Sequence, residues 1–168
     1  MTLHIRSEVP SDSMAINAVT QQAFLHAAHT DHNEHCIVAA LRDAGALTLS
    51  LVAEIEGAVV GHLAVSPVAI SDGAQGWYGL GPVSVKPQCQ KQGIGSQLIH
   101  QALQTLRATG AAGCVVLGEP AYYCRFGFEH VPSLVLPDVP PQYFMLLAFG
   151  PATPQGMVTY HPAFTAKY

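Results

Sequence analysis

Two groups of residues have the types and spacing to do chemistry. The first is Gln90-Lys91-Gln92-Gly93-Ile94-Gly95-Ser96, set between an apolar run ending at Val85 and an amphipathic run ending near Thr109. A strand that passes through a glycine-rich turn into a helix is the local architecture of a phosphate cradle. The amides around Gln92 to Ser96 would point out of the helix N-terminus, where the helix dipole favours an anion. Gly93 and Gly95 let backbone approach a ligand closely. Lys91 offers either a charge-assisted contact or a solvated cation, and Gln90 suits ordering the turn better than reaching a phosphate. The second group is His26, His29, His32 and His35, every third residue, with Asp31 and Glu34 between them.

The histidines look like metal ligands, but a spacing of three advances about 300° on an α-helix, so no single face holds all four. Structural zinc usually takes four ligands. Thr30, Asp31 and Asn33 favour a break in the helix. The expectation is a solvated loop with no metal. For the cradle, a P-loop would need a lysine and a hydroxyl residue directly after the glycines. A Rossmann turn would need a third glycine where Leu98 stands, and an acidic residue ending the next strand, near Cys114 to Leu117, where there is none.

These residues must be positioned by regular elements, and the apolar spacing names them. Leu3 to Arg6 reads as a short strand. Pro10, Ser11 and Asp12 open a helix carrying Ile16, Val19, Ala23 and Phe24. A second helix starts near Asn33 or Glu34, carries Ile37 and Leu41, and stops at Gly45. Strands follow over Leu47 to Ile55 and Ala58 to Ile70, joined by a hairpin turn at Glu56-Gly57, with a bulge expected at Gly61. Trp77 to Val85 is a fourth strand. The helix from Gly93 to Thr109 has Ile94, Leu98, Ile99, Ala102, Leu103 and Leu106 on one face. Cys114 to Leu117 is a buried strand parallel to its predecessor. A short helix, a turn at Gly127 and a proline-rich tail with strands over Phe144 to Phe149 and Met157 to Tyr160 complete the chain. This describes one α/β domain with a mixed central sheet flanked by helices, residues 1 to 168.

Bulk properties narrow the function. The chain is 168 residues long with 11% charged residues and a net charge of -4. That composition argues against disorder, and the lack of a basic block argues against a nucleic-acid partner. No apolar run of spanning length appears, so no membrane association is expected. Cys36, Cys89, Cys114 and Cys124 form no CxxC pair and suggest no disulfide framework, which fits a reducing cytoplasm. Monomer and homodimer both suit the apolar tail.

Gln90-Lys91-Gln92-Gly93-Ile94-Gly95 resembles the Q/R-x-x-G-x-G signature of the GCN5-related N-acetyltransferase (GNAT) superfamily. Leu80 to Pro87 resembles that family's splayed fourth strand, and Tyr123-Cys124-Arg125-Phe126-Gly127-Phe128 its Y-x-x-x-G-F segment. The run from Leu117 to Phe128 and the late YHPAF are similar to the YhbS-like subgroup. The resemblance implies a GNAT-like fold whose fourth and fifth strands splay at a local defect. It implies acetyl-CoA as cosubstrate, with its pyrophosphate on Gln90 to Ser96 and its pantetheine arm on Val83, Ser84 and Val85. It implies transfer of the acetyl group to a primary amine of a small molecule, peptide or protein, by direct attack in a ternary complex. Tyr123 would contact the cofactor and protonate the departing sulfur.

The family often places a glutamate on the fourth strand as general base, and this strand has no carboxylate. Glu119 is the closest acidic candidate; its other reading is a cap for the helix behind Pro120. His62 either faces the acceptor cleft or is a satisfied, half-buried strand histidine, and water-mediated deprotonation is a further option. A catalytically silent CoA-binding sensor or interaction module of the same fold is the alternative function.

Overall fold

The computed structural model describes residues 2–27 and 30–167. The chain forms two compact units, one of Met1–Ser66, Gly81–Leu103 and Pro162–Tyr168, the other of Pro67–Leu80 and Gln104–His161.

In the first unit, β1 (Leu3–Ser7) pairs antiparallel with β2 (Leu49–Ile55), and β2 with the first part of β3 (Ala58–Ile70). Glu56 and Gly57 take φ of 52° and 80°, the two left-handed residues of a tight hairpin. The register slips between Ala53↔Gly61 and Glu54↔Val59, so Val60 is the extra residue of a bulge beside Gly61. Strand β2 begins two residues later than its apolar pattern suggests.

Helix α1 (Ser13–Phe24) follows a 3₁₀ turn whose Asp12 accepts a forked bond from Arg6 at 2.8 and 3.1 Å and one from the Val9 amide at 2.7 Å. Helix α2 (Glu34–Asp43) stops at Gly45, where the Ala46 amide reaches back to Leu41 O and that of Gly45 to Arg42 O. That double bond, with φ of 68° at Gly45, is a Schellman end that glycine makes without strain. Ile16 of α1 and Val38 of α2 pack on Val52, so both helices cover that face of β2 and β3. The opposite face meets α3 (Ile94–Ala108). A Cβ on Gly61 would lie 3.2 Å from Leu98 Cδ1 and 3.3 Å from Ile94 Cγ2.

In the second unit, β4 (Trp77–Val85) starts parallel to β5 (Gly113–Leu117), and β5 pairs antiparallel with β7 (Phe144–Ala148). The end of β3 pairs antiparallel with β8 (Gly156–Tyr160), and β8 runs parallel to β6 (Leu134–Val135). Strand β6, two residues long, is too short to show a period and was absent from the sequence pattern. Ile70, Trp77, Val115, Leu134, Phe144, Leu146 and Val158 form the core here. The main path of the mixed sheet is β1-β2-β3-β4-β5-β7. No helix among the described residues is long and apolar enough to cross a membrane.

Candidate active site

Helix α3 opens on a turn built to aim amides. Lys91 and Gly93 both take left-handed backbone, φ of 64° and 84°. Left-handed residues in such a turn make a concave nest of N–H groups, the backbone form of an anion site. Nothing lies within 4 Å of a Cβ built on Gly93, so the glycine answers the dihedral rather than a lack of space. The first backbone bond of α3 runs from Gln97 N–H to Gly93 O at 3.0 Å. The amides of Ile94, Gly95 and Ser96 precede that bond and point along the axis out of the N-terminus. Ile94 itself is buried and anchors the turn to the core.

The side chains of the turn serve its shape. Gln90 Nε2 donates to Val85 O at 3.0 Å, tying the turn to the end of β4, and Gln92 Nε2 reaches Gln88 O at 3.4 Å. Lys91 is exposed.

Strand β4 changes character along its length. Its ladder with β5 covers Trp77↔Gly113, Tyr78↔Cys114 and Gly79↔Val115, whereas β4 runs on to Val85. Gly81 has φ of 133°, and Pro82 has no amide to donate. Together they form the local defect expected in this strand. Val83 and Val85 are half-buried and Ser84 is buried.

The second unit holds the other candidates. Strand β5 ends at Leu117, Gly118 follows, and α4 (Pro120–Tyr123) begins at once. The Tyr122 and Tyr123 amides both bond to Glu119 O at 3.1 Å. Glu119 therefore caps the helix with its carbonyl, while its carboxylate makes no capping bond and is exposed. The Tyr123 ring meets Phe128 edge-on at 6.0 Å between centroids and Tyr122 at 5.0 Å. A Cβ on Gly118 would lie 2.4 Å from Tyr123 Cε2, so the ring occupies the space that a side chain at position 118 would need. Burial, and then the neighbouring Tyr122 and Cys114, push the Tyr123 hydroxyl up to about 12. The phenol therefore keeps its proton through the neutral range. Arg125 sits over the rings of Tyr122 and Phe126 at 5.1 and 5.6 Å. The role of Gly118 was not read from the sequence, although a glycine directly after a strand signals a close approach.

His62 faces no cleft. It is fully buried, with Nε2 2.8 Å from Ser50 Oγ. Glu8, Arg42 and Asp12 are its charged surroundings, and burial pushes its imidazole down to about 4. Among the described residues, no group of three or more His, Cys, Asp or Glu could hold a metal ion. His29 lies outside those residues. His35 is in α2, its Nε2 3.3 Å from Gln21 Nε2. Thr30 bonds to Glu34 and accepts from the His32 amide, closing a compact entry to α2.

Comparisons with known proteins identify the family of the chain. The acetyltransferase (GNAT) domain family matches residues 46–130. The chain is 40% identical over 126 residues to the uncharacterised N-acetyltransferase YhbS of Escherichia coli, covering 74% of this chain and 72% of that protein. A GNAT family acetyltransferase from Brucella melitensis, solved with acetyl-CoA, is 52% identical with a TM-score of 0.87, covering 97% of this chain and 98% of that one. Escherichia coli YhbS, solved with CoA, is 34% identical with a TM-score of 0.87, covering 96% and 91%. The family match over half of the chain and these relatives together show that the chain belongs to the GNAT family of acetyl-CoA-dependent N-acetyltransferases.

Proposed function

We propose that residues 1 to 168 form one N-acetyltransferase domain that moves the acetyl group of acetyl-CoA to a primary amine by direct attack in a ternary complex. The observation that carries this reading is the turn at Lys91 to Gly93 feeding the N-terminus of α3. Gln92 to Ser96 would bind the pyrophosphate through backbone amides, with Gln90 bracing the turn and Lys91 adding charge. The backbone of Val83, Ser84 and Val85, on the stretch of β4 past its ladder with β5, would hold the pantetheine arm as a strand is held. An amide there would polarise the thioester carbonyl, and one such donor is typically worth roughly 10²- to 10³-fold in rate.

The neutral amine nitrogen attacks the thioester carbon, the carbon–sulfur bond breaks, the nitrogen gives up its extra proton to water, and Tyr123 protonates the thiolate before regaining its proton from solvent. Glu119, exposed at the start of α4, is a candidate base for the acceptor. The acetyl-CoA and CoA complexes of the two relatives support the cofactor assignment. The named N-acetyltransferases among the relatives favour an enzyme over a silent CoA-binding module. The reading places the protein in the cytoplasm.

The test is thermal denaturation with acetyl-CoA, CoA and NAD, for the parent chain and Gly93→Asp, followed by initial-velocity kinetics with an amine panel. A ligand at 100 times its Kd stabilises by about 2.7 kcal/mol. The expected result is a rise with acetyl-CoA and CoA, none with NAD, and loss of the rise in a folded Gly93→Asp protein. Intersecting velocity patterns support the ternary complex, whereas parallel ones overturn direct attack.

A further inference from the structure

The late run YHPAF, residues 160 to 164, has no part in the reading above. Its tyrosine closes β8 and is the direct cross-strand partner of Val68 on β3. Residues directly opposite on neighbouring strands put their side chains on one face of the sheet. Tyr160 and Val68 both pack on the core that contains Trp77 and Val115. The Tyr160 residue is half-buried, so it stands at the margin of that core rather than at its centre.

The ring reaches past Val68 to β4. A Cβ built on Gly79 would lie 3.2 Å from Tyr160 Cε2, 3.4 Å from its Cζ and 3.2 Å from Val68 Cγ1. Glycine at position 79 therefore lets the hydroxyl end of the ring settle on the strand backbone. Gly79 and Val115 also form the last rung of the parallel β4–β5 ladder, and β4 runs on to Val85 beyond it.

Tyr123 is seated in the same way. Its ring occupies the space that a side chain at Gly118 would need, three residues past Val115. A glycine on β4 and one just after β5 thus each make room for a phenol ring, one at the last rung and one shortly past it. The two phenols also share surroundings. Burial, then Cys114 and Tyr123, push the Tyr160 hydroxyl up, and Cys114 acts on Tyr123 as well. Tyr123 is the group assigned above to the sulfur of the cofactor. In that reading the cofactor runs back along β4, from its pyrophosphate at the α3 turn past Val85 and Val83, so its acyl end leads toward the rung at Gly79. The acyl chain starts one bond from the sulfur, and the wall it meets there sets how far it can extend.

We propose that Tyr160 is the specificity-determining wall of the acyl pocket: its ring, seated on Gly79, admits an acetyl group and excludes longer acyl chains. The inference rests on the acetyltransferase reading and adds the chain-length preference for the donor. Packing enforces the limit. With Val68 beside it and strand backbone beneath it, the ring has no room to retreat in a close-packed interior. A butyryl group carries two more methylenes than acetyl, and a single methylene in an apolar pocket is typically worth about 10- to 200-fold. The ring carbons supply the barrier, so a phenylalanine at this position would do the same.

The test is isothermal titration calorimetry of CoA, acetyl-CoA and butyryl-CoA with the parent chain, Tyr160→Phe and Tyr160→Val. CoA has no acyl group and reports on folding and on the rest of the cofactor site. The parent chain should bind butyryl-CoA at least about tenfold more weakly than acetyl-CoA. Tyr160→Phe should keep that ratio. Tyr160→Val, whose β-branched side chain suits a strand, should bring the ratio close to one while CoA binds as it does to the parent. Tyr160→Leu, which keeps more of the packing, carries the same expectation and decides the matter if Tyr160→Val does not fold. A parent chain that binds both acyl donors alike overturns the proposal. So does a ratio unchanged in the folded valine or leucine protein, or one lost in Tyr160→Phe. A parent chain that binds none of the three ligands removes the acetyltransferase reading itself, and the proposal with it.

Discussion

The Tyr123 ring fills the space beside Gly118: a Cβ at position 118 would lie 2.4 Å from Cε2 and 3.0 Å from Cδ2. The ring is held from other sides by Phe128 and Tyr122, so it has little freedom to give way. Gly118→Ala should therefore destabilise the fold by about 1–3 kcal/mol, the usual range for overpacking. It should also lower kcat more than it raises the KM for acetyl-CoA. Urea denaturation and steady-state kinetics check both expectations, and an alanine protein with normal kcat would show that the orientation of Tyr123 is unimportant.

Tyr123→Phe keeps the aromatic packing and removes the proposed proton donor. We expect kcat to fall by about 10²- to 10⁴-fold with thermal stability little changed. Because the hydroxyl is pushed up to about 12, the parent enzyme should show no loss of activity from Tyr123 near pH 10, the ordinary tyrosine value. A pH–rate profile of the two proteins decides it.

Stability should fall in mild acid because of His62. Its folded-state imidazole is pushed down to about 4 by burial, from an ordinary value of 6.5. Above pH 6.5 both folded and unfolded chains carry it neutral, and its contribution is complete. As pH drops from 6.5 to 4 the unfolded chain gains a proton that the folded one does not. The loss at the bottom of that window is roughly 3 kcal/mol. Glu8 and Asp12, both held below their usual range, extend the loss to lower pH. Urea melts at several pH values should show this slope for the parent chain and a flatter one for His62→Gln. A pH-independent parent chain between 7 and 4.5 would contradict the buried neutral state.

Gly113 is the partner of Trp77 at the start of the β4–β5 ladder, and a Cβ there would lie 2.4 Å from Trp77 Cη2. Gly113→Ala should destabilise by about 1–3 kcal/mol. It should also shift the emission of Trp77, the single tryptophan, toward that of a more solvated indole. Unchanged fluorescence with unchanged stability would mean the ring moves aside freely.

Much of this was legible along the chain because it depends on neighbours in sequence. The face of α3 from Ile94 to Leu106, the stops at Gly45 and Gly110, the hairpin at Glu56-Gly57 and the glycine turn before α3 are set by local dihedrals and helical or strand period. The bulge expected at Gly61 lies beside it at Val60. The family signature is equally local, since a turn that cradles phosphate needs its glycines within a few residues of one another. The tertiary structure decided what depends on residues far apart. No period reveals that Gly118 makes room for Tyr123, or that Gly61 is small because α3 lies on it. A lone histidine in a strand says nothing about its far partners, and only folding brings Ser50 and Glu8 to His62 and buries them together. Composition and spacing fixed which elements form; the close approach of side chains across the sheet and under the helices assigned their work.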